Sequence, residues 1–81
     1  MSGDTRPALV GANLKKLRSL RGLTQFELAD ASGISRGTIA QLELGTRGVT
    51  HSTTIQRLAD ALGVPAAMFF ADTAESTEGL R

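Results

Sequence analysis

The most constraining stretch lies in the middle of the chain, where two helix-start signals and two glycines mark out a pair of short helices. Thr24 is a candidate N-cap, and Glu27 follows at the spacing of a reciprocal capping box. Gly33 interrupts the first helix, as expected where the backbone needs an angle that other residues resist. Ser35 repeats the N-cap signal, and Gly45 is placed to end the second helix. The sequence therefore predicts two short helices joined by a tight turn.

The second of these helices has two unlike faces. Ile39 and Leu42, three residues apart, can enter a core together. The other positions carry small or hydrogen-bonding residues and no carboxylate, namely Arg36, Gly37, Thr38, Ala40 and Gln41. This composition suits a surface that meets an acidic, grooved partner such as duplex DNA. It also fits an ordinary solvated helix face, although such a face more often carries pairs of Glu and Lys.

Apolar periodicity predicts further helices on both sides of this pair. The first helix, expected over residues 7–21, and a fourth, expected to start near residue 52, each show an apolar stripe at helical spacing. The stripe residues are Val10, Leu14 and Leu17 in the first helix and Ile55, Leu58, Ala59 and Leu62 in the fourth. Pro65 opens a last short helical turn. We find no convincing strand.

These elements predict an all-α chain, a compact bundle of five helices. With 81 residues, the chain is too short for two separate cores. We expect one domain over residues 7–70, preceded by a flexible N-terminus over residues 1–6 and followed by a polar, acidic tail over residues 71–81. Domains of this size gain stability by tight helix packing or by forming oligomers.

Charge is unevenly distributed along the chain. The net charge is only +1, but the tail is acidic, and residues 1–70 carry eight basic and five acidic side chains, a net charge of +3. Such a moderate positive charge predicts modest affinity of one copy for an anionic partner, and reliance on pairing of two copies.

The chain has few residues suited to catalysis or metal binding. It has no Cys, no Tyr and a single His, His51. We therefore expect no enzyme activity, no cofactor, no disulfide and no metal site. No apolar run approaches the roughly 20 residues that span a bilayer, and the N-terminus lacks the apolar core of a signal peptide. We expect a cytoplasmic protein without a membrane partner.

Several short motifs occur in a fixed order: Leu23-Thr24-Gln25, Glu27-Leu28-Ala29, Gly33-Ile34-Ser35, Thr38-Ile39 and Glu43-x-Gly45. Leu14-x-x-Leu17-Arg18 precedes them and Leu58-Ala59-x-Ala61-Leu62-Gly63-Val64 follows. Together they resemble the helix-turn-helix of the phage repressor and Cro family, often called the XRE family. The resemblance covers roughly residues 13–70. It implies a repressor-like fold and a sequence-specific transcriptional regulator that binds double-stranded DNA, with the recognition helix Ser35–Leu44 in the major groove.

The resemblance also implies roles for single residues. Base contacts are implied for the open face of the recognition helix, which carries Arg36, Gly37, Thr38, Ala40 and Gln41. Phosphate contacts are implied for the helix starts and the following loop, namely Thr24, Gln25, Ser35, Thr46 and Arg47. Arg18 resembles the partner of a carboxylate at Glu43, in an ion pair that joins the first helix to the recognition helix.

Within the helix pair, two positions depart from the family pattern. A side chain is usual where Gly37 stands, so this glycine either lets the backbone approach DNA or removes a base contact. A charged or small residue is usual where Phe26 stands. We expect Phe26 to fold down onto the first helix; the alternatives are packing against sugars or against a partner.

The C-terminal turn brings three large apolar residues together, Met68, Phe69 and Phe70. One small monomer can hardly bury all three, so the excess either forms a dimer contact or covers the open end of the core. A homodimer is expected because a monomer offers few contacts to DNA. The rival interpretations are an antitoxin, or a protein-interaction module on the same fold that binds its partner through the C-terminal end.

Overall fold

The structure, a computed structural model, describes residues 5–46 and 52–71, with side chains from residue 8 onward. Its elements are four α-helices and a short 3₁₀ helix: α1 (Thr5–Leu20), α2 (Gln25–Ser32), α3 (Arg36–Leu44), α4 (Ser52–Leu62) and the 3₁₀ helix (Ala66–Phe70). The predicted all-α fold is confirmed, with two corrections. The last element is a 3₁₀ segment and not a fifth α-helix, and α1 begins and ends one or two residues before the predicted bounds of 7–21. Arg47 and His51, and most of the predicted N-terminal and tail segments, lie outside the described residues.

One apolar core joins all five elements. Its buried members in the described part of the chain are Val10, Leu14, Leu28, Ile39, Leu42, Ile55, Leu58, Ala59, Leu62 and Phe69. The whole stripe predicted for α4 is buried, and Leu17 packs at the edge of the core. Helix α1 contacts α3 and the 3₁₀ helix, whereas α2 contacts α3 and α4. Helix α3 is therefore held from two sides.

The turn between α2 and α3 is fixed at both ends by the predicted caps. The Glu27 backbone N–H donates to Thr24 Oγ1 over 3.0 Å, and the Thr24 N–H donates to Glu27 Oε1 over 2.8 Å, which completes the capping box. Gly33 ends α2 at φ 76°, in the left-handed region that glycine adopts without a steric penalty. Ser35 Oγ then accepts from the Thr38 N–H over 3.1 Å at the start of α3. Local hydrogen bonds thus set the direction of α3 relative to α2.

Helices α1 and α3 meet through their backbones at Gly11. A Cβ on this buried glycine would overlap the carbonyl oxygen of Leu42 and would lie 3.0 Å from that of Glu43. The absence of a side chain therefore allows the two helices to approach closely.

The C-terminal 3₁₀ helix is tied to α1 by Asn13. This side chain is only 4% exposed, and its Nδ2 donates to the carbonyl oxygens of Phe69 and Ala71, each over 2.8 Å. The Phe69 ring is fully buried, so the prediction that it forms a dimer contact is wrong; it closes the core within one monomer. Met68 and Phe70 remain 43% and 46% exposed.

We expect Gly11→Ala to lower the free energy of unfolding by about 1–3 kcal/mol, because the new methyl group forces α1 and α3 apart. Gly37→Ala is the matched control, since nothing lies within 4 Å of a Cβ at that helical position. It is expected to raise stability by up to about 1 kcal/mol through helix propensity. Urea unfolding followed by circular dichroism measures both. Equal effects of the two substitutions would contradict the close helix contact.

Candidate nucleic-acid interface

Helix α3 presents two faces, as predicted. Ile39 and Leu42 are 0% and 2% exposed and point into the core. The other face is open: Arg36, Gly37 and Gln41 are exposed, and Thr38 and Ala40 are half-buried. No described part of the chain covers Gly37. Of the five residues predicted to contact bases, three therefore lie on the open side of α3, and Thr38 and Ala40 lie at its margins.

A partly buried ion pair anchors α3 to α1. Arg18 Nε donates to Glu43 Oε2 over 2.7 Å, and Arg18 Nη2 donates to Glu43 Oε1 over 3.0 Å, a bidentate arrangement. The two side chains are only 14% and 5% exposed. A third Arg18 donor, Nη1, reaches the Leu23 carbonyl oxygen over 2.7 Å, in the connection between α1 and α2. The ion pair that the resemblance implied is present, and it joins three segments.

This pairing keeps Glu43 ionised. Burial alone raises the pKa of the Glu43 carboxyl, but hydrogen bonds from Arg18 and Gln25 and the positive charges of Arg18 and Lys15 outweigh it and leave the pKa below its ordinary value. The hydrogen bond to Glu43 raises the pKa of Arg18 further, against the opposing effect of burial. Both groups are therefore charged near neutral pH, and their charges cancel within the fold.

Gln25 carries the network from the ion pair to the surface. Its Nε2 donates to Glu43 Oε1 over 3.0 Å, and its Oε1 accepts from Arg36 Nη1 over 3.0 Å. The opposite orientation of the amide would set its oxygen against the carboxylate, so Glu43 determines which end of Gln25 faces Arg36. Gln25 thereby braces the start of α3.

Phe26 does not fold onto α1, so that prediction is wrong. Its side chain is 67% exposed, and its ring lies beneath the guanidinium of Arg36, whose Cζ is 5.0 Å from the ring centroid. Phe26 stands two residues before the buried Leu28, about 200° away around the helix. The helical phase of α2 is the sequence signal that places Phe26 on the outside.

The residues predicted to contact phosphates lie at the starts of α2 and α3 and after α3. The Thr24, Ser35 and Thr46 side chains are exposed, and Gln25 is half-buried. Their hydroxyls also hold local structure: Ser35 Oγ donates to Thr38 Oγ1 over 2.8 Å, and Thr46 Oγ1 donates to the Gln41 carbonyl over 3.3 Å. These contacts to phosphate, and those of Arg47 outside the described residues, stay predictions.

Nowhere among residues 5–46 and 52–71 do three His, Cys, Asp or Glu side chains gather as metal ligands would. None of the helices described there is long and apolar enough to cross a bilayer.

A family model described as a helix-turn-helix domain matches residues 9–69. The chain belongs to this helix-turn-helix family. The match covers α1 from its fifth residue through Phe69, so the bracing helices are included as well as the α2–α3 pair. The resemblance to the repressor and Cro type that the sequence indicated is confirmed.

Two relatives illustrate the range of lengths in this helix-turn-helix family. The chain is 46% identical over 55 residues to the HTH-type transcriptional repressor RghR of Bacillus subtilis. The aligned residues make up 68% of this chain and 41% of RghR. It thus spans about two fifths of that relative. It is 41% identical over 73 residues to the uncharacterized HTH-type transcriptional regulator y4dJ of Sinorhizobium fredii, 90% of this chain and 94% of y4dJ.

A solved structure has the same helix-turn-helix fold. The restriction-modification controller protein C.AhdI from Aeromonas hydrophila superposes with a TM-score of 0.75 at 34% identity, over 79% of this chain and 96% of that one. The repressor-like arrangement predicted from the sequence is therefore the arrangement found.

We expect Glu43→Ala to destabilise the domain by as much as about 3 kcal/mol, because it leaves the partly buried Arg18 charge without its partner. For a domain of this size, each kcal/mol lowers the melting temperature by about 4–8 °C. Replacing both partners, with Arg18→Met and Glu43→Leu, should cost less than Glu43→Ala alone. Thermal melts of the three chains test this. A Glu43→Ala variant that melts like the wild type would contradict the role of the pair.

The same pair predicts a pH dependence. Because the pKa of Glu43 in the folded state lies below its ordinary value of 4.5, its contribution is complete above that pH and is lost as the pH falls through the lower folded-state pKa. The stability difference between the wild type and Glu43→Gln should therefore be constant near neutral pH and shrink in acid. Urea titrations across this range measure it, and a difference that persists unchanged to strongly acidic pH would contradict the shift.

Proposed function

We propose that this chain binds double-stranded DNA at specific sequences and regulates transcription, with α3 in the major groove. The observation that carries the proposal is the open face of α3, which presents hydrogen-bond donors and no exposed carboxylate. Helix-turn-helix proteins insert the second helix of the motif into the major groove with its N-terminal residues toward the bases. The relatives named as transcriptional regulators support the same function.

Arg36 and Gln41 are the proposed base readers. The Arg36 guanidinium can donate two hydrogen bonds to one guanine, and the Gln41 amide can pair with adenine; each such pair discriminates by about 1–3 kcal/mol. Thr38 and Ala40 lie beside them. At Gly37 we propose that DNA approaches the backbone, because the fold itself leaves room for a side chain there.

Phosphate contacts set the register of the helix on the duplex and carry no direct sequence information. We assign them to Thr24, Gln25 and Ser35 at the helix starts, and to Thr46 and Arg47 after α3. The only carboxylate of α3, Glu43, is paired with Arg18 inside the fold, so it does not repel the phosphates.

Selection of duplexes from a random library, followed by binding titrations, tests the proposal. The wild type is expected to enrich a defined sequence, with an affinity that falls steeply as salt rises. Arg36→Ala should relax the preference at one base pair, at a cost of about 1–3 kcal/mol. Arg47→Ala is the matched control: it should weaken all sequences alike and reduce the salt slope by about one. Enrichment of no sequence, or binding that ignores salt, would overturn the proposal.

We further propose that two copies bind as a homodimer on half-sites about 34–36 Å apart. Met68 and Phe70, exposed at the C-terminal end of the described fold, are the proposed contact. The selected duplexes should then contain an inverted repeat. Met68→Ser with Phe70→Ser should shift sedimentation toward the monomer, whereas Leu20→Ser, at a residue 72% exposed on α1, should not. Equal sedimentation of both variants would exclude this contact.

A protein partner is the second candidate function, as in an antitoxin or an interaction module, and the exposed Met68 and Phe70 also favour it. Arg36→Glu separates the two functions, because charge reversal should abolish DNA binding and leave a protein contact at the C-terminal end intact. A cellular function that survives Arg36→Glu would favour the interaction module. Both functions agree with the expected cytoplasmic location.

A further inference from the structure

An exposed aromatic ring on α2 is unexplained by the packing of the domain. Phe26 is 67% exposed, although its apolar area would ordinarily be buried. It belongs neither to the core nor to the predicted base or phosphate contacts. Its ring contact in the described chain is with Arg36, the first residue of α3.

Arg36 is restrained on two sides. Its guanidinium carbon lies 5.0 Å from the Phe26 ring centroid, within the range of about 6 Å in which a cation is attracted to a ring face. Its Nη1 donates to Gln25 Oε1 over 3.0 Å, in the amide orientation that Glu43 imposes. The Phe26 ring blocks the guanidinium from moving toward one side of its plane, and the hydrogen bond to Gln25 fixes one edge of the guanidinium.

This restraint matters because an arginine side chain has many rotamers and loses that freedom when it is fixed. A side chain already ordered before binding loses less on contact with its target. Arg36 has five N–H donors, and the bond to Gln25 uses one. The others remain to form the fork that a guanine edge accepts.

We propose that Phe26 is a positioning residue, which acts through Arg36 by holding its guanidinium in place for base recognition. The inference rests on the proposed function, since it concerns how the same DNA-binding surface selects its sequence. Phe26 itself touches no base in this proposal.

The first test uses the free 81-residue chain and needs no DNA. Ring currents of Phe26 should shift the NMR signals of the Arg36 side chain upfield in the wild type. Phe26→Leu, which keeps apolar bulk but removes the ring, should abolish the shift, and Phe26→Tyr should retain it. The melting temperature should stay nearly constant because the residue is exposed. A wild type without the shift, or a shift that persists in Phe26→Leu, overturns the proposal.

The second test is a double-mutant cycle on the duplex that the wild type selects. Phe26→Leu should weaken binding by about two- to fivefold and reduce discrimination at the base pair that Arg36 reads, and Phe26→Tyr should restore both. In an Arg36→Ala background, Phe26→Leu should have no further effect.

The outcomes separate the two proposals. Equal loss in both backgrounds means that Phe26 contacts DNA directly, and it overturns the positioning role. If Phe26→Leu binds the selected duplex as tightly as the wild type does, the inference is overturned and the proposed function stands. A wild type that enriches no duplex overturns the proposed function, and the inference with it, whatever the NMR spectra of the free protein show.

Discussion

The ion pair between Arg18 and Glu43 is the interaction on which the placement of α3 depends. A single guanidinium joins α1, the connection to α2 and the last turn of α3, because Arg18 donates both to the carboxylate and to the Leu23 carbonyl. Buried ion pairs often add little net stability, because the cost of removing both charges from water offsets their attraction. What such a pair does provide is geometry: both charges must be satisfied together, which favours one arrangement of the three segments.

The influence of this pair extends beyond the core through hydrogen bonds. Glu43 orients the Gln25 amide, the amide accepts from Arg36, and the Phe26 ring lies beneath the same guanidinium. An exposed arginine at a helix start is ordinarily free to sample many rotamers. Here its position follows from a carboxylate near the other end of the same helix, so the stability of the domain and the order of its open face have a common origin.

Whether a contact of the fold could be predicted depends on how far apart its residues lie in the sequence. The caps at Thr24 and Ser35 and the stripe on α4 depend on residues three or four positions apart, and the sequence predicted them. The resemblance implied the Arg18–Glu43 pair, which spacing alone does not reveal. Asn13 was missed because its partner Phe69 lies 56 residues away and is a backbone carbonyl, which leaves no side-chain signal.

The candidate nucleic-acid interface likewise has features that the sequence predicts and features that it does not. The open face of α3 was predicted from its helical period and composition, and the structure agrees. The predicted packing of Phe26 on α1 is wrong, because the phase of α2 turns this ring away from the side that carries the buried Leu28. The function of each residue toward DNA depends on atoms outside the chain, and no pattern within the chain determines it.

The contact at Gly11 has a consequence for how such a domain diverges. The spacing of α1 and α3 is set there by backbone atoms and not by side-chain volume. A side chain gained at Gly11 would therefore move α3, together with its outward face, away from α1. Gly37, where nothing lies within 4 Å of an added Cβ, can gain a side chain without moving α3, whereas a change at Arg36 also removes its contacts with Gln25 and Phe26.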